Sequence, residues 1–362
     1  MADYRILELS SFTELQEAVV SEGLAQEVAD GDFFCTCAWY ANLATSGLAP
    51  ANLLLLLAIN DTAGSALCLP LQYNQQGLSS LSNYYSSLYG PIMWGNHRPQ
   101  TVDPSVWRAL AEHLRQHRPR WPMLSLSPLD SQHPCYQGLR DALNQVGYTV
   151  DHFFCFGNWY LQVAGRSFSD YALSLPSALR NSIARGQRRL SKQGEWNIHI
   201  QCLDDARLET SINAFVQVYQ RSWKQAEPHP NFIPQLIGTA ARQGWLRLGI
   251  LMLQGQAIAA QLWLVKDNKA SIYKLAYAEG FERFSAGSVL THALMQQVLD
   301  GDLVHEVDYL TGDDTYKQDW MSHRRERWGL VAFNKRTIKG IWTATRHFGG
   351  KLRKRAQQGM AA

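Results

Sequence analysis

Two hydrophobic periods alternate along this chain, and their order outlines its architecture. Residues 6–9 read as a short strand, and Leu15, Ala18, Val19 and Leu24 at roughly helical spacing predict a helix over 12–29. Another helix is expected over 33–43, stopped by Ser46, Gly47 and Pro50. Strands over 52–60 and 66–73 flank the turn signal Asp61-Thr62-Ala63-Gly64. An aromatic loop covers 83–91. Helices over 102–115 and 136–146 then alternate with strands over 121–127 and 153–163. The second half repeats the theme: residues 168–175, a basic helix from Pro176 to Gln193, a strand over 197–202, and a helix over 208–224. A hairpin follows around Gln254-Gly255 (245–253 and 256–265), then a strand over 271–277. The turn Ser285-Ala286-Gly287 opens a helix over 288–299, and strands over 306–310 and 328–333 complete the set. Each half is a pair of strands followed by a helix-strand-helix-strand run. The fold class is therefore α/β with mixed sheets covered by helices, in two copies of one unit that meet near Gly165. The expected division is 1–165, 166–334 and a tail over 335–362. No repeat is visible in the residues themselves.

With 46% hydrophobic and 18% charged residues in a chain of 362, the protein has a large core and a modest charged surface. Twelve Trp and fifteen Tyr are enough for some to line a groove. The net charge of +3 conceals an asymmetry: nine Lys or Arg and no Asp or Glu lie from Arg327 onward, leaving 25 basic and 31 acidic residues before it. Such a block is either a solvated end or a contact with an anionic membrane face, a carrier protein or a phosphorylated substrate. Trp342, Phe348 and Leu352 interleave with Lys339, Arg346 and Lys351, the composition of an interfacial helix. The six cysteines form no CxxC pair, no His lies at zinc spacing, and Phe153-Phe154-Cys155-Phe156 reads as core packing. The start of the chain lacks a basic segment followed by an apolar run, and the longest apolar run, 53–59, is too short to span a bilayer. A cytoplasmic protein with reduced thiols is expected, with the basic tail able to meet the inner face of the membrane.

Residues 283–320 concentrate the chemistry. A turn that opens a helix leaves backbone N–H groups unpaired with positive dipole charge behind them, which suits a pyrophosphate. The strand after that helix ends in Asp308, Asp313, Asp314, Tyr316 and Lys317. An anion cradle beside an acid/base cluster points to group transfer from a nucleotide-bearing donor. Asp308 lies mid-strand between Val307 and Tyr309; burial would raise its pKa toward that of a base, and pairing with Lys274 or an Arg of the basic helix would hold it ionised. Asp313 and Asp314 follow Gly312 and can cap the turn at 315–320. Lys317 suits an oxyanion or a phosphate. On the basic helix, Arg185, Arg189 and Lys192 share one face at i, i+4, i+7 without compensating acids, which favours an anionic ligand such as a nucleotide-sugar diphosphate or a lipid-linked precursor. Tyr84, Tyr85 and Tyr89 can stack on sugar rings, and Trp223 with His229 flanks a Pro-rich loop able to act as a lid.

The ordered segments Leu179-R-N-S-I-A-R-G-Q-R-R-L-S-K192, Gln256-A-I-A-A-Q-L-W-L-V265, Ile272-Y-K-L-A-Y-A278, Phe284-S-A-G-S-V-L290 and Val307-D-Y-L-T-G-D-D-T-Y-K-Q-D-W320 resemble the GNAT acyltransferase superfamily. More narrowly they resemble the group typified by the cellulose-biosynthesis protein CelD, related to the Fem-type peptidoglycan aminoacyl transferases. Asn83-Y-Y-S-S-L-Y-G-P91 resembles that group's aromatic segment. The resemblance covers essentially the whole chain and is strongest over 168–333. It implies tandem GNAT-like domains, each a mixed, largely antiparallel sheet flanked by helices, with acyl-CoA (acetyl-CoA foremost) held by the second and no metal. By position, Ser285, Ala286, Gly287 and Ser288 would cradle the pyrophosphate, Phe284 would stand at its edge, and Arg283 would add a salt bridge. Ordinary loops of the superfamily read Q/R-x-x-G-x-G/A, and only Gly287 stands here where two small residues are expected. Tyr316 falls where many members place the general acid for the departing thiolate. The implied activity is N- or O-acyl transfer to a small-molecule or lipid- or nucleotide-linked sugar acceptor of the cell envelope or an exopolysaccharide. The rivals are a Fem-type ligase using aminoacyl-tRNA, the one case that brings in nucleic acid, and a non-catalytic scaffold of a polysaccharide-synthesis complex.

Overall fold

The structure, a computed structural model, describes residues 4–24, 27–28, 31–49, 52–95 and 102–359, with side chains to 353. The chain forms two compact units: residues 1–44, 48–155 and 326–362 make the first, and residues 45–47 and 156–325 the second.

The first unit begins with β1 (Arg5–Leu9), α1 (Phe12–Ser21), α2 (Cys37–Ser46), β2 (Asn52–Asn60), β3 (Ser65–Asn74), β4 (Gly77–Ser80) and β5 (Ile92–Trp94). It continues through α3 (Pro104–Gln116), β6 (Met123–Asp130), α4 (Pro134–Gln145) and the start of β7 (Tyr148–Gln162). Helix α1 stops earlier than its apolar spacing suggests. Gly23 takes φ +70° there, and Leu24 N–H closes back on the Val19 carbonyl at 2.8 Å, a left-handed stop that glycine permits. Helix α3 shows how sequence sets local structure: Asp103 caps it by accepting from Ser105 N–H, Pro104 starts it, and Val106, Trp107, Leu110 and Leu114 form its buried face.

The second unit holds the rest of β7, then α5 (Phe168–Ser174), α6 (Ser177–Gln193), β8 (Trp196–Gln201), α7 (Leu208–Gln220), α8 (Phe232–Arg242), β9 (Leu246–Leu253), β10 (Gln256–Lys266) and β11 (Lys269–Tyr277). Helix α9 (Ala286–Gln296), strand β12 (Glu306–Asp308) and helix α10 (Thr315–Gln318) follow. Its strands run β7-β12-β11-β10-β9-β8, parallel only between β11 and β12. Two tight turns, Gln254-Gly255 and Asp267-Asn268, have both central residues at positive φ and join β9 to β10 and β10 to β11. Helices α5, α6 and α9 share one buried cluster that includes Tyr171, Leu190, Trp263 and Leu294. Helix α8 was hidden from sequence by Pro234, which sits in its first turn, where proline is tolerated, and not in a loop.

The last two elements are β13 (His323–Asn334) and α11 (Ile338–Gly359). From Glu326 onward they belong to the first unit, whose strands run β1-β2-β3-β4-β6-β13 with β5 on β3. The strand expected over 328–333 is thus an antiparallel partner of β6, and the residues expected as a tail form a long helix. The segment Phe153–Phe156 is not wholly core: Phe154 is exposed and meets Trp328 edge-on at 5.7 Å, while Phe153 covers Gly329.

Candidate functional site

Every element of the site lies in the second unit. Strand β11 pairs with β12 at Lys269↔Glu306, Ala270↔Val307 and Ser271↔Asp308, and the pairing ends there. Beyond that point β11 runs on to Tyr277, while the other strand turns away: Tyr309 N–H bonds to the Trp159 carbonyl at 2.9 Å, and Leu310 takes φ +56°. The sheet therefore opens between residues 272–277 and 309–317.

Helix α9 starts beside this opening. Its first internal bond runs from Val289 N–H to the Ser285 carbonyl, so the amides of Ala286, Gly287 and Ser288 have no acceptor within the helix. Ser285 stands at the N-cap in left-handed conformation, φ 50° and ψ 38°, and its side chain does not cap. Its hydroxyl instead meets that of Ser182 at 3.0 Å. The turn is held from beneath by Gln261, fully buried on β10, whose Nε2 donates to the Gly287 carbonyl and the Thr291 hydroxyl, both at 2.9 Å. Gly287 itself is not required by the protein. Its φ is not positive, and a Cβ there would meet only Tyr277 Cδ1 at 3.6 Å, an ordinary contact.

Helix α6 lies directly on this turn. A Cβ at Gly186 would come within 2.3 Å of the Phe284 carbonyl oxygen, so only glycine allows the approach. Ser182, Arg185, Arg189 and Lys192 follow one flank of α6 at spacings of three and four. Two of that row touch the turn: Ser182 through Ser285, and Arg189, which donates to the Arg283 carbonyl at 2.6 Å. Arg283 is exposed, stacks on Phe284 at 4.7 Å and donates to Gln193 at 3.1 Å. The basic face and the helix-opening turn, read separately in the sequence, thus form one cationic surface around a turn whose first three amides have no acceptor within the helix.

The acid/base cluster divides. Asp308 is fully buried. Its Oδ1 accepts from Asn158 Nδ2 at 2.6 Å and from Leu310 N–H at 2.7 Å, and its Oδ2 meets Lys269 at 2.9 Å and also Arg325. Arg325 in turn holds Glu306 at 2.7 Å. A carboxylate clamped between two cations is a poor proton acceptor, so the role of base expected for Asp308 is corrected to that of an anchor. Its side-chain partners come from β7, β11 and β13, while Lys274, the partner expected from the sequence, meets Glu227 at 2.7 Å. Asp313 is held by Arg324 (2.7 Å) and by Trp159 Nε1 (2.8 Å), and the Arg324 bond above all lowers its pKa, so it too is an ionised structural group. Asp314 occupies the N-cap of α10 without capping it and pairs with Lys317 at 3.3 Å. Lys317 is buried; its ammonium donates to the Thr311 carbonyl at 2.6 Å and lies near the Gly312 carbonyl at 3.4 Å, so it pins the loop and has no donor to spare for an oxyanion.

Tyr316 differs from all of these. It is 46% exposed, stands edge-on to buried Tyr309 at 5.7 Å, and burial followed by the charge of Asp314 pushes its phenol up to about 12.

Trp223 is half-exposed and packs on Tyr277 at 4.3 Å, which places it at the open end of β11 near Gly287. Sequence reasoning missed Lys224 and Glu227 in the same segment. Lys224 has its pKa lowered, by burial first and then by Lys274, and it also feels Glu227, Lys317 and Asp314. The segment 223–227 therefore borders the 311–317 loop, a proximity with no spacing signal in the chain. Tyr85 and Tyr89 lie in the other unit and are core residues, Tyr89 donating to the Pro70 carbonyl at 2.8 Å; only Tyr84, 69% exposed, can reach a ligand. Among the described residues no cluster of His, Cys, Asp and Glu could hold a metal ion.

None of the curated proteins matches the chain. Among solved structures, FemX shares the fold with a TM-score of 0.58 at 10% identity, over 90% of this chain and 96% of that one. The C-terminal domain of a protein assigned as a lysylphosphatidylglycerol synthetase from Agrobacterium fabrum gives a TM-score of 0.55 at 12% identity, over 92% and 96%. A conserved protein of unknown function from Bacteroides thetaiotaomicron gives 0.55 at 10%, over 92% and 100%. Residues 177–318 match the family model of the acetyltransferase (GNAT) domain, a span that runs from the first turn of α6 to the end of α10. Most of the second unit of this mixed α/β protein is thus similar to the acetyltransferase (GNAT) domain.

Proposed function

We propose that the protein transfers an acyl group from acyl-CoA to an amine or hydroxyl acceptor. The observation that carries this reading is the α9 turn: three unpartnered amides, a glycine that packing does not require, and a flank of cations from α6 meeting at one place. That combination suits the diphosphate of a nucleotide donor, with Arg185, Arg189, Lys192 and Arg283 as its counter-charges. Arg185 and Arg189 are accordingly read as donor ligands in place of acceptor ligands. The gap beside residues 272–277 would admit the donor's extended arm, with Trp223 and Tyr277 along its wall. The acceptor's lone pair then attacks the thioester carbonyl carbon, and the C–S bond breaks as the new C–N or C–O bond forms. The acceptor gives up a proton to solvent, the departing sulfur receives one from Tyr316, and solvent then restores the phenol, so no net proton is consumed. An acceptor on a cell-envelope or exopolysaccharide precursor rests on the resemblance of the ordered segments to the CelD-like group.

Calorimetric titration with acetyl-CoA, longer acyl-CoAs and free CoA tests the donor. Micromolar binding is expected, and Arg185→Ala with Arg189→Ala should weaken it about 10-fold or more while flattening its salt dependence, as loss of charge-assisted phosphate contacts requires. Absence of binding to every one of these would overturn the reading and favour an aminoacyl donor, the alternative suggested by the resemblance to Fem-type enzymes.

Tyr316→Phe tests the acid. It should lower kcat about 100-fold with donor affinity unchanged, because proton transfer contributes at that scale. Since the Tyr316 pKa is raised, the phenol stays protonated through the whole neutral and mildly alkaline range, and no loss of rate from its ionisation should appear below about pH 10. A variant that loses kcat and donor affinity equally would remove Tyr316 from this role.

A further inference from the structure

Helix α11 has two faces. Inward, Gly340 sits so close to the Asn334 carbonyl that a Cβ would lie 2.2 Å from it, Phe348 packs on Phe333 at 6.2 Å, and His347 meets Asp151 at 2.5 Å with Lys351 on the same carboxylate. Burial would raise Asp151, but Lys351 and His347 bring its pKa down, so the helix is clamped to its unit by an ionised carboxylate. Phe348 and Lys351, which the sequence counted with the interfacial residues, therefore face the protein.

Outward, Ile338 is 90%, Ile341 52%, Trp342 56% and Leu352 67% exposed. At about 100° per residue these four fall within a strip roughly 100° wide. Lys339, Arg346 and Arg353, all exposed, run along one edge of it, and the Arg346 guanidinium lies over the Trp342 ring at 4.7 Å. No Asp or Glu occurs anywhere in this helix.

A row of large apolar side chains kept in solvent is unusual for a surface helix and marks an interaction face. The cations choose the partner. A second copy of this face would bring the same positive charges with no carboxylate to meet them. An anionic bilayer surface satisfies both features, since apolar side chains and Trp enter below the headgroups while Lys and Arg stay at phosphate level. No described helix is long and apolar enough to cross a membrane, so the contact lies in the plane. We propose that α11 docks this protein on anionic phospholipid, inserting Ile338, Ile341, Trp342 and Leu352.

The full chain should sediment with vesicles of phosphatidylcholine containing phosphatidylglycerol, far less with phosphatidylcholine alone, and less as salt rises. Ile341→Ser with Trp342→Ser should lower partitioning at least about 10-fold, as expected for two apolar side chains withdrawn from the interface. Lys339→Glu with Arg346→Glu should abolish the preference for the anionic vesicles. All four side chains are exposed and Lys339 forms one surface hydrogen bond, to the Gln75 carbonyl at 2.5 Å, so unfolding curves should stay close to the parent's. No binding to anionic vesicles at millimolar lipid, or binding unchanged in both double variants, would overturn the proposal. So would a lipid-independent dimer dispersed by Ile341→Ser with Trp342→Ser, which would assign the strip to a second copy.

Discussion

Gly287→Val should leave the fold standing and reduce acyl-CoA binding by about 100-fold or more, because one misplaced methyl-bearing carbon at a phosphate-contacting amide disrupts several charge-assisted hydrogen bonds at once. Glycine inside a helix normally costs about 0.5–1 kcal/mol relative to alanine. Where such a glycine persists, either the backbone or a neighbour usually requires it. Here neither does: the backbone angle is ordinary and a Cβ would find Tyr277 at a comfortable 3.6 Å. Gly186 is the instructive contrast, since a Cβ there would strike the Phe284 carbonyl. Gly287→Ala should therefore raise the unfolding temperature slightly, and both variants should weaken donor binding in calorimetry. Affinity equal to that of the parent in Gly287→Val would show that no ligand approaches this turn. A large loss of stability would instead mean that the turn is packed more tightly than its geometry indicates.

Asp308→Ala should destabilise the second unit by about 3–5 kcal/mol, the range found when one partner of a buried ion pair is removed. Lys269 and Arg325 would keep their charge with half their compensation gone, and Asn158 Nδ2 and the Leu310 amide would each lose an acceptor. Glu306 would remain for Arg325, which is why the loss should not exceed that range. Asp308→Asn, which keeps the shape but not the charge, should fall between the two. Urea unfolding measures both, and coupling between Asp308→Ala and Arg325→Met in a double-mutant cycle separates the pair from the rest of the network. A change below about 1 kcal/mol, the scale of an exposed pair, would mean that water reaches the cluster. The same carboxylate was a candidate base on sequence grounds, so activity per folded molecule is the companion measurement: an anchor that takes no proton from the acceptor leaves it nearly unchanged.

Much of the architecture was legible because its signals are local. Short apolar runs bounded by turn signals predicted β2, β3, β9, β10 and β11, and the Gln254-Gly255 turn was readable because a two-residue hairpin requires positive φ at both positions. The α9 turn was found for the same reason: a small residue at the start of an amphipathic helix has few uses. What escaped was decided by distance along the chain. The partners of Asp308 lie at positions 158, 269 and 325, and those of Tyr89 at Pro70, so no window of residues could distinguish a base from an anchor or a stacking ring from a core ring. Glu227 and Lys224 were lost in a segment that composition marks only as a loop.

The sequence by itself determined most of the element types, the mixed α/β class, the basic flank of α6 and the anion-suited turn, because each depends on dihedral preference or on residues three and four apart. Only the tertiary structure decided that the flank and the turn are one surface, since that rests on Gly186 letting α6 touch Phe284. It alone returned β13 and α11 to the first unit and turned Trp342 and Leu352 outward while clamping Lys351 to Asp151. The physical reason is the same throughout. Charge and polarity can be read from a side chain, but whether that charge is free for a ligand depends on which partners folding brings within about 3 Å of it.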